Sequence, residues 1–70
     1  MTDNHKPEIM TPKQVAEETG IPEGTLRYFR SAEIGPASFR LQGRVRYRRI
    51  QVEAWIAEQE AATLRGGVAR

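Results

Sequence analysis

Cysteine is absent from this chain, histidine and tryptophan occur once each, and no stretch stays apolar for long. Without cysteine, neither disulfides nor thiolate-ligated zinc can staple the fold, and a reducing, intracellular setting fits. Seventy residues make one domain, and a chain this short buries only about 60% of the surface its unfolded form exposes. Its core must therefore be small. No apolar run approaches the roughly 18 residues of a membrane span, and the opening "MTDNHKPEI" lacks the apolar centre of a secretion signal. A soluble, cytoplasmic protein with no membrane partner is expected. The single histidine, His5, lies in a polar stretch and offers neither a metal site nor a catalytic base. There is no phosphate-cradling glycine loop and no carboxylate pair in a plausible cleft, and little volume remains for a pocket of several hundred Å3. These absences point away from an enzyme and from any cofactor or metal.

Acidic side chains are scarcest where basic ones are densest. Net charge is only +2, but it is unevenly spread. Residues 1–26 hold two lysines against five acids, net −3; residues 50–70 hold two arginines against three acids, net −1. Residues 27–49 hold seven arginines against Glu33 alone, net +6. The middle third thus carries the positive field, and every cation in it is arginine. The planar guanidinium fork suits phosphates and guanine edges better than the point charge of lysine. Double-stranded DNA is the partner this pattern suggests.

Local signals divide the chain. Residues 1–9 are polar and aperiodic, and read as a flexible N-terminal arm. At "MTPKQV", Thr11 is a good N-cap, Pro12 suits the first helical position, and Gln14 completes a capping box. Met10 and Val15 occupy the staple positions, and Gly20 supplies a stop, with Ile21 free to fold back onto Ala16. The first helix is expected over 12–19. In "IPEGTLRYFRSAE", Pro22 and Glu23 suit a first helical turn, Leu26 and Phe29 share one face, and Gly35-Pro36 ends the segment. Two short helices across a glycine-containing turn form a helix-turn-helix pattern.

"SFRLQGRVRYR" alternates on both sides of Gln42-Gly43, which predicts a hairpin. The expectation is one apolar face, with Phe39, Leu41, Val45 and Tyr47, and one face almost entirely of arginine. From Ile50 the period lengthens, and Val52, Trp55, Ile56 and Gln59 mark a helical stripe. Residues 63–70, with Gly66-Gly67, read as a flexible C-terminal tail. The domain spans 10–62. Its class is α+β, mostly α: a winged helix-turn-helix of two short helices, a basic β-hairpin wing and a closing C-terminal helix. A major groove about 12 Å wide admits the second helix, while the ribbon can lay arginines on phosphates or into the minor groove.

The residues "TPKQVAEETGIPEGTLRYFRSAEIGP" and "GRVRYRRIQVEAWI" together resemble the small excisionase and MerR-type winged-helix group. The likeness lies in the opening "T…VAE..G", the "TLRY" helix, the Gly-Arg wing and the closing "V.AWI", and covers residues 10–58. It implies a DNA-binding architectural protein of a phage or mobile element, acting in the bacterial host cytoplasm. Such a protein, a recombination directionality factor, bends attachment-site DNA and biases a tyrosine-type integrase toward excision. Carried over by position, Thr25, Arg27, Tyr28 and Arg30 are the recognition-helix contacts, and Arg44 and Arg46 the wing contacts. Arg40 joins them as a third basic position of the ribbon. This sequence departs from the group at Pro22, where a capping serine is common. MerR-type activators continue into a long dimerisation helix and an effector domain, so the short chain favours the excisionase branch. A small winged-helix transcriptional regulator is the alternative.

Plainer roles compete at several positions. Arg27 and Arg30 stand at helical spacing from Glu23 and Glu33 and could pair with them. Tyr28 could bond a phosphate or pack at the helix–wing junction. Tyr47, Val52 and Trp55 read as core. Glu23 could accept from a cytosine amino group, although stabilising the helix dipole is the simpler role. Ile50 lines up with Ala54, Ala57 and Ala61, a narrow apolar strip that either touches the junction or supports self-association on tandem DNA sites. A protein-interaction module whose basic face binds an acidic partner is the competing class of function.

Overall fold

The computed structural model describes residues 6–67. Strand β1 (Ile9–Met10) leads into α1 (Pro12–Thr19), and α2 (Glu23–Ala32) follows a short turn. Strands β2 (Phe39–Leu41) and β3 (Arg44–Arg48) form the hairpin, and α3 (Arg49–Thr63) closes the fold. This is the expected winged helix-turn-helix order with one addition, a third strand. The antiparallel sheet runs β1-β3-β2, with β3 in the middle.

The reading of residues 1–9 as an arm is corrected at its end. Ile9 pairs with Arg48 and Met10 with Tyr47, and the Arg49 amide donates to the Glu8 carbonyl at 2.9 Å. Two residues carry too little pattern to announce a strand, and β1 exists because β3 presents an edge to it. Residues 1–5 of that arm, and 68–70 of the tail, lie outside the described residues.

The first helix follows its local signals. The Gln14 amide donates to Thr11 Oγ1 at 3.1 Å, and the Thr11 amide donates to Gln14 Oε1 at 2.9 Å. Gly20 ends it, its amide bonding the Ala16 carbonyl at 2.8 Å. Helix α2 begins at Glu23, with Pro22 as an N-cap that makes no side-chain bond. The acid at its first position partly compensates through the helix dipole. At the other end Glu33 takes a left-handed φ of 61°, and Gly35 follows at φ 82°.

The core is five side chains: Met10, Val15, Leu26, Tyr47 and Val52. Ala16, Ile21, Phe29 and Val45 pack around it. Trp55 is half-buried, its ring 6.2 Å from that of Phe29. The stripe expected on α3 is covered only at its start. Val52 is buried and Trp55 half-buried, while Ile56 and Gln59 are exposed.

The hairpin corrects the expected division of faces. Its loop is only Gln42-Gly43, both at positive φ (54° and 79°), the requirement of a two-residue primed turn. Leu41 therefore pairs with Arg44, Arg40 with Val45 and Phe39 with Arg46. Paired residues share a face, so odd-numbered residues of β2 share a side with even-numbered residues of β3. Phe39 and Leu41 lie with Arg44, Arg46 and Arg48 on the outer face, and Arg40 lies with Val45 and Tyr47 on the other. The approach of the Arg48 guanidinium to 6.0 Å from the Phe39 ring centroid fits this.

Gly35 is the tightest glycine. A Cβ there would lie 2.7 Å from Phe29 Cδ2 and 2.9 Å from Phe29 Cβ, in a backbone conformation that penalises L side chains. Gly35→Ala is expected to lower the unfolding free energy by at least about 2 kcal/mol. Gly24→Ala, in open space within α2, should instead raise it by roughly 0.5 kcal/mol. Urea denaturation checks both, and similar losses in the two variants would contradict the packing described for Gly35.

Candidate nucleic-acid interface

The outward face of α2 follows from what its inward face buries. Leu26 is fully enclosed and Phe29 is packed against the core. That leaves Gly24, Arg27, Tyr28 and Ser31 turned to solvent. Arg27 is exposed, and Tyr28 keeps 63% of its surface accessible. Of the two roles open to Tyr28, this exposure leaves its hydroxyl available to a ligand. Thr25 is half-buried on the flank of the same helix. Gly24 and Ser31 carry no charge or bulk that would have marked them in the sequence.

Arg30 is placed differently. It is half-buried, and its Nη1 donates to the Tyr47 hydroxyl at 2.8 Å. Tyr47 is fully buried, so an unpaired hydroxyl there would cost on the order of 1–3 kcal/mol. The guanidinium removes that cost and ties α2 to the central strand. Arg30 thus supports the junction between the two surfaces.

On the wing, Arg44 and Arg48 are exposed on the outer face. Arg46 shares that face and is held by a bond from Nη1 to the Val45 carbonyl at 2.6 Å. Arg40, on the opposite face, bends back so that its Nη1 donates to the Gly43 carbonyl at 3.0 Å. The bond braces the turn and leaves Arg40 exposed at the tip. Arg48 belongs with the wing cations although the family pattern did not single it out; the unbroken alternation of Arg44, Arg46 and Arg48 was its signal.

Arg49 has been drawn away from that surface. Its Nη1 and Nη2 donate to the two Glu18 carboxylate oxygens at 2.7 and 3.0 Å, and its Nε donates to the Pro7 carbonyl at 2.8 Å. One side chain thus joins α1, the start of α3 and the segment entering β1. Its 15% exposure, against 43% for Glu18, makes it the anchored partner. Among the described residues this is the ion pair within 4 Å, so Arg27 and Arg30 do not pair with Glu23 or Glu33. Hydrogen bonding to Arg49 holds the Glu18 carboxyl below its ordinary value of 4.5. Burial opposes that shift, while the charges of Arg49 and Lys6 add to it.

Beside this clamp, Ile50 keeps 68% of its surface exposed. It borders an open groove of about 400 Å3 lined also by Glu8, Arg48, Arg49 and Glu53. Among the described residues no group of three or more histidines, cysteines and acids could hold a metal ion. No helix among them is long and apolar enough to cross a membrane.

Residues 9–60 match a family model described as a helix-turn-helix domain. No curated protein and no solved structure matches the chain.

The Glu18 clamp gives a pH dependence of known sign. A carboxylate whose pKa falls on folding contributes stability that is present above its unfolded value and is lost as pH drops through the folded one. The difference in unfolding free energy between the natural chain and Glu18→Gln should be full at neutral pH, begin to fall near the ordinary carboxylate value of 4.5, and vanish only once pH is below the lowered pKa of the folded state. Denaturation curves at neutral and acidic pH check this. A difference that stays constant on acidification would contradict a charged clamp.

Proposed function

The chain belongs to the helix-turn-helix domain family and is a small DNA-binding protein of that family; from that premise we propose that it is an excisionase, a recombination directionality factor that bends attachment-site DNA. The carrying observation is the division of the seven middle arginines. Arg49 is locked to a carboxylate and Arg30 to a phenol, while Arg27, Arg40, Arg44, Arg46 and Arg48 carry charge that no acid within 4 Å neutralises among the described residues. The run of motifs from "TLRY" through the Gly-Arg wing to "V.AWI" supports the excisionase and MerR-type group as a whole, and a small transcriptional regulator on the same scaffold is the second reading. The partners under this reading are duplex DNA and a tyrosine-type integrase, in a bacterial cytoplasm. The part played is binding and bending, with no catalytic step of its own.

Neighbouring protomers on tandem sites are part of the same proposal. Exposed Ile50 and the exposed residues Ala54, Ala57 and Ala61 on α3 support such a contact. Ile50→Asp is expected to lower cooperativity on tandem sites in equilibrium sedimentation without altering single-site affinity. Unchanged cooperativity would remove Ile50 from the contact.

Grip on the phosphates has a numerical signature. Neutralising about five phosphates releases their condensed counterions and gives a slope of log K against log salt of roughly −4.5, several hundred-fold in affinity between about 50 and 200 mM. Arg44→Ala should weaken all sequences alike and reduce the slope by about one, whereas Arg27→Ala should cost about 1–3 kcal/mol and relax preference at one base pair. A flat salt response would refute the phosphate grip. In a recombination reaction with a cognate integrase, the chain should raise excision relative to integration; no change in that ratio would favour the regulator.

A further inference from the structure

The wing tip carries an apolar side chain where a phosphate grip alone has no use for one. Leu41 keeps 47% of its surface exposed and stands directly opposite Arg44 on the outer face. The other apolar residues of the ribbon are half-buried or buried. The buried core lies against the other face of the ribbon, at Val45 and Tyr47. The tip that holds it is braced. Gln42 and Gly43 form a two-residue turn with both φ values positive, and Arg40 donates across it to the Gly43 carbonyl. A braced tip with leucine projecting beside Arg44 on the arginine-bearing face has the chemistry of a minor-groove wedge. The cations seat the ribbon on the phosphates, and the apolar group enters between base pairs and unstacks them.

We infer that Leu41 inserts at a base step of the minor groove and produces a kink in the bound duplex. This rests on the reading of the chain as a DNA-binding wing protein and assigns the bend to one side chain. Flexible pyrimidine–purine steps, TA above all, are the sites such a wedge can open at least cost. The wedge therefore adds a preference at a base step where no hydrogen bond is made to a base edge.

Duplexes recovered by the chain from a random pool, carrying a fluorescent adenine analogue at successive positions, provide the test. Binding should brighten the analogue at one step, and end-labelled energy transfer should report a bend. Leu41→Ala should abolish the brightening, straighten the duplex and bind roughly ten-fold more weakly, with the salt slope unchanged because no charge is lost. Leu41→Thr, which keeps a strand-favouring residue, should behave as Leu41→Ala does, and Leu41→Met should retain much of the bend. If the natural chain binds with steep salt dependence but brightens no position, or if Leu41→Ala and Leu41→Thr bend DNA fully, the wedge is wrong and DNA binding stands. If the natural chain recovers no duplex and shows no salt-dependent binding, the DNA-binding reading itself falls.

Discussion

A loop of two residues, both at positive φ, leaves the hairpin a single register, and that register decides which side of the wing each side chain occupies. With Leu41 held opposite Arg44, Tyr47 is directed into the core and Arg44, Arg46 and Arg48 away from it. Shifting one strand by a residue would turn Tyr47 out and the arginines in. Tyr47 in turn holds Met10 beside it in the sheet and receives the Arg30 bond from α2. The wing and the second helix are thus fixed relative to the same buried ring. The largest of the five core side chains has its hydroxyl satisfied as well.

The arginines divide by what surrounds them rather than by where they fall in the chain. Arg48 and Arg49 are neighbours, yet one lies exposed over Phe39 and the other is clamped between Glu18 and Pro7. The backbone changes from strand to helix between them. That change rotates the second guanidinium toward α1 and lets one cation serve folding while its neighbour remains available to phosphates. An arginine locked in a bidentate pair has its fork geometry already satisfied, so it adds little to a phosphate grip.

Much of the fold was legible because its signals are local. The capping box of Thr11 and Gln14, the stop at Gly20 and the turn at Gln42-Gly43 each depend on residues within four positions of one another. The faces of the ribbon were not legible from alternation. Each strand alternates by itself, but the phase between them comes from loop length, so Phe39 and Leu41 were expected opposite the arginines they in fact accompany. Strand β1 was hidden for a related reason, since two residues have no period and pair only because β3 offers an edge. The site was legible as a zone of charge but not residue by residue. The partners of Arg30 and Arg49 lie 17 and 31 positions away, beyond any helical or strand spacing.

Arginine side-chain resonances observed during titration with duplex DNA test the division of cations most directly. In nitrogen-labelled protein, the Nε–Hε signals of Arg27, Arg44, Arg46 and Arg48 should shift together as duplex is added, while those of Arg30 and Arg49 stay in place. Shifts of Arg49 and Arg30 equal to those of the wing, or a wing that does not respond, would contradict a surface built by turning some arginines inward and leaving the others for the phosphates.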